Sequence, residues 1–411
     1  MDHNQYRINF PRLKSTFDKS SAIGATANGG LHRLTLTKED KQIRDILVDW
    51  MKEEDLHVRV DDLGNIYGRR EGKQKDLPIV MVGSHLDTQP NGGRFDGVLG
   101  VLAGLEVIRV LNENNIETER TIELVNFTNE EGDRFTPPML GSGVVTNNYT
   151  KEFVYNLKDK DGITYEQALK EIGYQGEESN RLENVEYFLE LHVEQGPILE
   201  KNNKDIGLVR GVKGMTRFAV EVNGQASHAA HPKENRRDAL VAASEMVLAI
   251  EKVATTYESL STTVGVFDVS PSVYNIFAGK VSFTFDAREI DDEIRREALE
   301  IIQEKIKDIA AKRNVEVTIE ETWNIDGTFF SEEVLNVFEE CTKQLNYSYQ
   351  SVDSGAGHDA KFMNDIAKTA MIFAPSVNGL SHCEEELTLD KDLEKSSNVL
   401  LQAVLTLANK S

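Results

Sequence analysis

The 411-residue sequence predicts an α/β protein in which helices cover a mostly parallel sheet and a second, smaller domain is inserted. Three observations predict this fold class. Short, continuous apolar runs alternate with helical patterns in the first half of the chain, as in parallel sheets with crossover helices. Residues 213–324 have their own order of strands and helices. A further apolar run follows them and must return to the first sheet. The length suits two domains, each with its own core.

The first elements are a helix, a strand pair and a set of buried strands. The segment from Thr37 to Asp55 begins with a capping pattern of Thr37 and Asp40 and places apolar residues at helical spacing. The runs LHVRVDD and NIYGRR predict an antiparallel pair that turns at Gly64. Runs that are apolar throughout predict buried strands, namely LPIVMVG, TIELVNFT, YFLELHV and AKTAMIFA. Between the first two of these runs, GVLGVLAGLEVIRVL predicts a helix whose glycines allow close packing on the sheet.

Residues 213–324 predict a compact unit with the element order βαββαβ, which is that of ferredoxin-like domains. The strand AKTAMIFA and the candidate ligand His382 come after this unit and must rejoin the first domain. We therefore predict that residues 1–212 and 325–411 form one domain and that residues 213–324 are inserted into it.

Composition restricts the possible function classes. The chain has 46 Lys and Arg against 69 Asp and Glu, and its net charge of −23 disfavours nucleic acid and anionic membranes as partners. Cys341 and Cys383 are too few for a disulfide framework, which suits a reducing compartment. No apolar stretch approaches the roughly 20 residues of a membrane span, and the amino terminus has no signal-peptide core. We expect a cytoplasmic protein.

Candidate metal ligands lie just past the apolar runs, in the motifs GSHLDT, GRFDG, TNEEG, LHVEQG and SHCEEE. The five candidates are His85, Asp96, Glu131, His192 and His382. Each alone could be an ordinary polar residue of a turn, and Asp96 could be a helix cap. Five such placements at the carboxyl ends of strands favour a site. Nitrogen and oxygen ligands without a thiolate suit Zn²⁺, Mn²⁺ or Co²⁺, and Asp96 can bridge two ions.

The adjacent carboxylates Glu130 and Glu131 predict the chemistry of this site. After a buried strand they would repel each other unless a cation neutralised one of them, although a solvated acidic pair is the alternative. One can bind metal while the other acts as general base toward a water. Asp87, two residues after His85, can hydrogen-bond the far nitrogen of that imidazole. These residues predict a two-metal hydrolase.

The motifs resemble those of a known family nearly from end to end. Together with IGATANGGLHRL, DDLGNIYGRREG, RRDAL and SGAGHDA, they are similar to the amidases of the hydantoinase/carbamoylase group. This group belongs to the dinuclear zinc aminoacylase and peptidase superfamily and includes N-carbamoyl-L-amino acid hydrolases, β-ureidopropionases and allantoate amidohydrolases. The resemblance implies a zinc-peptidase-like catalytic domain, two divalent ions per chain, and a lid and dimerisation role for the inserted domain.

The resemblance also implies a role for each motif residue. One ion would be held by His85, Asp96 and His192, and the other by Asp96, Glu131 and His382. The implied catalytic residues are Glu130 as base, Asp87 as support and His228 as a donor to the oxyanion. The implied substrate-binding residues are Arg217, Asn275, Arg288, Gln195 and Gly357, with Arg288 and Asn275 on the substrate carboxylate.

The sequence departs from the family pattern in two places, HAAHPKENRRD and NIFAGK, which puts substrate preference in doubt more than catalysis. We expect a homodimeric amidohydrolase that cleaves a C–N bond of an N-carbamoyl-L-amino acid or a related ureido acid. An allantoate amidohydrolase, or an aminoacylase or dipeptidase acting on N-acyl amino acids, is the alternative. A catalytically silent metal-binding protein is less compatible with Glu130, because metal storage needs no base beside the ligands.

Overall fold

The computed structural model describes residues 5–410, so the first four residues of the amino terminus considered above lie outside the described part. The chain divides into two compact units. The first unit comprises the chain up to Gly211 and from Phe330 onward, and the second unit is Val212–Phe329.

The first unit is built on a mostly parallel sheet, as predicted. Its strands are β1 (His57–Val60), β2 (Ile66–Arg70), β3 (Ile79–His85), β4 (Ile122–Phe127), β5 (Val185–Val193), β6 (Ile206–Val212), β14 (Tyr349–Ser354) and β15 (Lys368–Ala374). They follow the order β1-β2-β4-β3-β5-β15-β6, with β14 beside β6. The central strands β4, β3, β5 and β15 are parallel. Antiparallel pairs, β1 with β2, β2 with β4, and β6 with β15, lie toward the margins.

Helices accompany this sheet. They are α1 (Phe10–Ser21), α2 (Lys38–Glu53), α3 (Val98–Glu113), α4 (Leu140–Val145), α5 (Lys151–Asn156), α6 (Tyr165–Glu171), α7 (Ile198–Lys201), α10 (Glu332–Gln344), α11 (Asp359–Met363) and α12 (Asp390–Ala408), with short 3₁₀ helices at Glu178–Asn180 and Val377–Gly379. Helix α3 is the predicted glycine-containing helix, and it contacts β3 and α12. A Cβ atom at Gly100 would lie 2.7 Å from the carbonyl oxygen of Leu191, so glycine allows α3 to lie close to the sheet.

The four long strands and two long helices of the second unit follow the predicted order βαββαβ, and three two-residue strands and a 3₁₀ helix lie between or after them. Its elements are β7 (Gly214–Asn223), β8 (Ser227–His228), a 3₁₀ helix (Lys233–Asn235), α8 (Ala239–Ala254), β9 (Ser261–Ser270), β10 (Ile276–Phe277), β11 (Lys280–Glu289), α9 (Asp292–Arg313), β12 (Glu316–Ile325) and β13 (Thr328–Phe329). Four long strands form an antiparallel sheet in the order β12-β7-β11-β9, and β8 pairs with β10. Apolar residues of β7, β11, α8 and α9 make the core of this unit. The unit continues past residue 324, because β12 runs to Ile325 and β13 follows it.

Within residues 5–410, none of the helices combines the length and the apolar character that a bilayer crossing requires.

Candidate metal centre and substrate-binding residues

The candidate ligands lie at the carboxyl ends of the parallel strands of the first unit. His85 is the last residue of β3, and His192 is the penultimate residue of β5. Glu131 follows β4, Asp96 precedes α3, and His382 follows β15. Parallel strands end at the same edge of a sheet, so the loops after them bring these side chains together.

The five side chains form two overlapping groups. His85, Asp96 and His192 make one group, and Asp96, Glu131 and His382 make the other, with the ligand atoms of each group within 4.8 Å of one another. Asp96 Oδ1 is 3.1 Å from His192 Nε2 and 3.9 Å from His85 Nε2, whereas Asp96 Oδ2 is 3.1 Å from His382 Nε2. Glu131 Oε2 is 3.6 Å from His382 Nε2. Ligand atoms around a tetrahedral Zn²⁺, each about 2.1 Å from the ion, are about 3.4 Å apart, so these spacings fit metal ligation.

The imidazole tautomers suit metal ligation. His85 Nδ1 lies 2.9 Å from the main-chain oxygen of Asp87, and His192 Nδ1 lies 2.9 Å from that of Val193. A carbonyl oxygen only accepts, so each Nδ1 carries a hydrogen, and in the neutral ring each Nε2 keeps its lone pair. His85 Nε2 is buried and has no hydrogen-bond partner among the described residues. Buried polar atoms are rarely left so, and a divalent cation would satisfy this one.

Gly97 allows α3 to begin against the first group of ligands. Its φ is 66°, and a Cβ atom there would lie 2.3 Å from His85 Nε2. Its main-chain nitrogen lies 3.1 Å from His192 Nε2, so α3 begins directly beside both imidazoles. Any side chain at this position would displace the imidazole of His85.

Charge in the first group is concentrated on Asp96. Burial alone would raise its pKa, but bonds from the His192 and His382 rings hold the pKa of Asp96 well below its usual range. Burial opposes protonation of His192, yet the Asp96 carboxylate raises the pKa of His192 to about 9. Burial lowers the pKa of His85 to about 4. A cation would take the place of the proton that His192 otherwise shares with Asp96.

Glu130 lies beside the first group, with Oε2 3.5 Å from His85 Nε2. Burial, and then the charge of Asp359, raises the pKa of Glu130 well above its usual range. Burial, and then the charge of Asp96, raises the pKa of Glu131 in the same way. Divalent cations at the two groups would reverse this effect and allow both carboxylates to ionise.

The contacts of Asp87 differ from those predicted. Its main-chain oxygen, not its carboxylate, lies at hydrogen-bond distance from His85 Nδ1, because Asp87 Oδ1 is 3.8 Å from that nitrogen. The carboxylate oxygens instead accept the main-chain N–H groups of Glu130 at 3.4 Å and Glu131 at 3.3 Å. On the extended segment after β3 the carbonyl faces the ring and the side chain faces the neighbouring loop. Asp87 therefore contacts the peptides of the candidate base and its neighbouring ligand.

Glu386, which the sequence analysis does not single out, holds the main chain that carries Asp96. Its Oε1 accepts the N–H groups of Phe95 at 2.9 Å and Asp96 at 3.2 Å. Ser381 donates to Glu386 Oε2 at 2.7 Å and to Asp96 Oδ2 at 3.2 Å. The motif SHCEEE thus provides two side chains to the site. His382 is a candidate ligand, and Glu386 is a buried acceptor for the loop that carries Asp96.

Gln89 is the second residue that sequence reasoning missed. Its main-chain N–H donates to Glu131 Oε1 at 3.1 Å, and its side-chain amide donates to Glu131 Oε2 at 2.6 Å. The letters TQPNGG carry no local sign of this contact, since the two residues are joined only by the packing of two loops.

A cavity opens beside the candidate ligands, and the predicted substrate residues Gln195 and Gly357 line it. Gln195 donates its amide to Asp96 Oδ2 at 2.9 Å. Gln195 and His382 both have a φ of 55°, in the left-handed region. This conformation costs about 1 kcal/mol for a residue with a Cβ, and such strain is concentrated at functional sites.

His228 and Asn275 lie together in the second unit. Ile276, the residue after Asn275, pairs with His228 across β8 and β10, and the N–H of Ala229 donates to the Asn275 carbonyl at 2.9 Å. The N–H of Ala230 donates to His228 Nδ1 at 3.2 Å. The neutral His228 ring therefore carries its hydrogen on Nε2, where it can donate to a substrate oxygen.

Arg217 and Arg288 form another group in the second unit, organised by Asp286. Arg217 lies opposite Asp286 in the register of β7 and β11. Its Nε is 3.0 Å from Asp286 Oδ2, and the Nε of Arg288 is 2.8 Å from Asp286 Oδ1. Asp286 was not predicted as a site residue, because only the strand register brings it to Arg217.

The two groups of the second unit lie at opposite ends of its sheet. Strand β11 begins at Lys280, opposite Asn223 and next to the β8–β10 pair that carries His228 and Asn275. At about 3.3 Å per strand residue, Arg288 is about 26 Å further along. One small substrate is therefore too short to contact both Asn275 and Arg288 of one chain, and the sequence analysis did not specify from which chain each of these residues comes.

Comparison with known proteins agrees with this architecture. The sequence profile of peptidase family M20/M25/M40 matches residues 81–406. An N-carbamoyl-L-amino-acid amidohydrolase of Pseudomonas sp. (strain NS671) is 36% identical over 407 residues, which cover 97% of this chain and 98% of the relative. The chain belongs to peptidase family M20/M25/M40. The crystal structure of an amidase of the hydantoinase/carbamoylase family from Burkholderia multivorans, 39% identical, superposes with a TM-score of 0.96 over 98% of this chain and 99% of that one.

A plant relative is also similar. The ureidoglycolate hydrolase of Arabidopsis thaliana is 35% identical over 419 residues, covering 98% of this chain and 87% of the relative. The predicted family and α/β fold class are thus confirmed, and this family member is a metal-binding hydrolase that acts on carbon–nitrogen bonds.

Proposed function

We propose that the protein is a dinuclear-metal amidohydrolase that releases an L-amino acid from its N-carbamoyl derivative. The observation that carries this proposal is the orientation of Asp96, because one of its carboxylate oxygens faces each ligand group. The carboxylate of Glu130, which belongs to neither group, lies beside the first. The similarity to the Pseudomonas N-carbamoyl-L-amino-acid amidohydrolase over nearly the whole chain supports the substrate class.

Each group of side chains would hold one divalent ion, Zn²⁺, Mn²⁺ or Co²⁺. When bound, the two ions supply Lewis acidity toward the carbamoyl oxygen and lower the pKa of the attacking water. Glu130 takes a proton from this water and returns it to the departing nitrogen. The bond between the carbamoyl carbon and the amino-acid nitrogen breaks, and the carbamic acid that remains decomposes to ammonia and carbon dioxide.

Substrate recognition would use the residues of the cavity and of the second unit. Gln195 and Gly357 line the space beside the ligands. The Arg288 guanidinium, aligned by Asp286, suits a carboxylate because its fork of N–H groups matches two oxygens. His228, with its hydrogen on Nε2, would donate to the oxyanion that develops on the carbamoyl oxygen.

We further propose that the working form is a homodimer in which the two groups of one second unit serve different active sites. The separation of about 26 Å along β11 supports this, because it far exceeds the length of an N-carbamoyl amino acid. In each active site, His228 and Asn275 would then come from one chain, and Arg217 and Arg288, which hold the substrate carboxylate, would come from the other.

A ureido acid other than an N-carbamoyl-L-amino acid is the second candidate substrate. The similarity to the ureidoglycolate hydrolase of Arabidopsis thaliana favours it. Allantoate would call for the same chemistry at the same residues, so it changes the substrate assignment and leaves the roles of Glu130 and the ligands as proposed. An N-acyl amino acid or a dipeptide would instead release no ammonia.

Separate replacement of Glu130 and Glu131 by glutamine tests the roles proposed for them. We expect Glu130→Gln to keep two ions and the wild-type melting temperature but to lose about 10³-fold in kcat, because only the base is removed. Glu131→Gln should lose one ion as well. Metal content after dialysis and kcat are measured on both, with Glu119→Gln, at the surface beside Gln74, as the control. Loss of metal in Glu130→Gln with full retention in Glu131→Gln would mean that the roles are reversed.

A further inference from the structure

We infer that Gln89 is a positioning residue that orients Glu131 and thereby sets the affinity of the second metal position, formed by Asp96, Glu131 and His382. The inference rests on the proposed two-metal function and adds to it a residue outside the ligand set.

Gln89 contacts both oxygens of the Glu131 carboxylate. Its main-chain N–H donates to Oε1 at 3.1 Å and its side-chain amide donates to Oε2 at 2.6 Å. Gln89 is half-buried and lines the cavity, while the Glu131 side chain is only 4% exposed. The two bonds come from one residue and fix the plane of the carboxylate as well as its position.

These bonds are compatible with ligation. Each carboxylate oxygen has two lone-pair positions, so the bonds from Gln89 leave one position on each oxygen. Oε2 is the oxygen that faces His382 Nε2, at 3.6 Å, and is therefore the ligand atom expected at the second position. Without the amide donor, a nearly buried carboxylate would be left with one unsatisfied oxygen and would reorient toward another partner.

The first metal position does not depend on Gln89. Two of its ligands, His85 and His192, are oriented by main-chain carbonyl oxygens at 2.9 Å. Asp96 is held by Glu386 and Ser381 instead. Removal of the Gln89 amide should therefore act on one position and spare the other, whereas general loosening of the site would act on both.

The test is a metal titration of the metal-free protein. Gln89→Met keeps an unbranched side chain of similar length and removes only the donor. We expect wild type to bind two Co²⁺ ions, and Gln89→Met to bind the second with 10- to 100-fold lower affinity, in the range typical of residues that orient a ligand, while the first changes less than about threefold. Calorimetry gives both affinities, and the visible absorption of each Co²⁺ equivalent assigns the loss to one position.

Gln74→Met is the matched control. Gln74 donates its amide to Glu119 Oε2 at 2.9 Å on the surface, so the same substitution there should leave both affinities unchanged. Gln89→Leu, which also lacks the donor and adds no ligand atom, is the second variant if Gln89→Met does not fold, as judged by circular dichroism. Equal affinities in wild type and a folded Gln89 variant, or an equal loss at both positions, overturn the inference alone. A wild-type protein that binds one ion overturns the two-metal proposal and this inference with it.

Discussion

The candidate ligands could be selected from the sequence, whereas the residues that contact and hold them could not. The candidate ligands follow apolar runs, a local signal that marks the ends of strands. Glu386 contacts the peptide of Asp96 from 290 positions away, and Gln89 contacts Glu131 from a separate loop. Such contacts arise from tertiary packing, so no pattern of residue spacing in the sequence predicts them. The side-chain contacts of Asp87 also differ from the prediction. The direction of the main chain after β3 decides whether its carboxylate or its carbonyl oxygen faces His85, and the sequence does not show this direction.

Asp61 gives a prediction about stability at this scale. It is buried in the turn between β1 and β2, where it accepts the N–H groups of Leu63 at 2.8 Å and Asn65 at 2.9 Å. Its second oxygen accepts the Asn65 amide at 2.9 Å and the Tyr67 hydroxyl at 2.8 Å. Asp61→Asn sets an NH₂ group against two donors and should lower the free energy of unfolding by about 3 kcal/mol.

Urea unfolding of the metal-free protein measures this effect. Asp55→Asn is the control, because Asp55 is exposed and has a φ of 58°, which asparagine tolerates well. A loss below about 0.5 kcal/mol in Asp61→Asn would show that the turn tolerates an unpaired donor there.

At the level of elements, the segments in which a periodic or apolar pattern predicted a helix or a strand do form one. The helices α2 and α3, the central parallel strands, and the long strands and helices of the second unit all occur where the sequence analysis put them. Helices α1, α10 and α12 were not predicted, although each spans at least twelve residues. The short helices α4 to α7 and α11, which span four to seven residues each, were not predicted either. Fewer than two helical turns give no periodicity to detect, and such helices depend on capping and packing for their stability.

The ion pairs of Glu333 connect several elements, and they lead us to expect a stability that depends on pH. It lies in the first turn of α10 and binds Lys368 at 2.8 Å, Lys410 at 2.5 Å and the Tyr187 hydroxyl at 2.9 Å. The bonds from Lys368 and Lys410 lower its pKa to about 2. A lowered folded-state pKa means that the carboxylate stabilises the protein fully above its ordinary pKa and that this contribution disappears as the pH falls toward 2.

We therefore expect Glu333→Gln to lower the free energy of unfolding by about 1 kcal/mol at pH 7 and by much less near pH 2.5. Chemical denaturation at the two pH values measures the difference, with Glu332→Gln, exposed in the same helical turn, as the control. An equal loss at both pH values would show that packing, and not charge, accounts for the effect.

At the level of the whole molecule, the proposed homodimer and the proposed substrate residues of the second unit predict complementation between chains. His228→Ala and Arg288→Lys should each be nearly inactive as homodimers, the latter because lysine lacks the fork of arginine. Co-expressed, the two variants should regain about one active site per mixed dimer, because one site receives His228 from one chain and Arg288 from the other. Mixed dimers without recovered activity would mean that both residues serve one site from one chain.

We propose above that the metal-loaded protein hydrolyses an N-carbamoyl-L-amino acid at the ligand groups around Asp96. A substrate panel tests this proposal, with the release of ammonia and of amino acid measured in the same reaction. The panel comprises N-carbamoyl-L-, N-carbamoyl-D-, N-acetyl- and N-formyl-amino acids, β-ureidopropionate, allantoate and dipeptides. We expect the highest kcat/KM for an N-carbamoyl-L-amino acid, with ammonia and amino acid released in equal amounts and both abolished by a chelator. Release of amino acid without ammonia, with N-acyl substrates or dipeptides preferred by about tenfold or more, would contradict the claim.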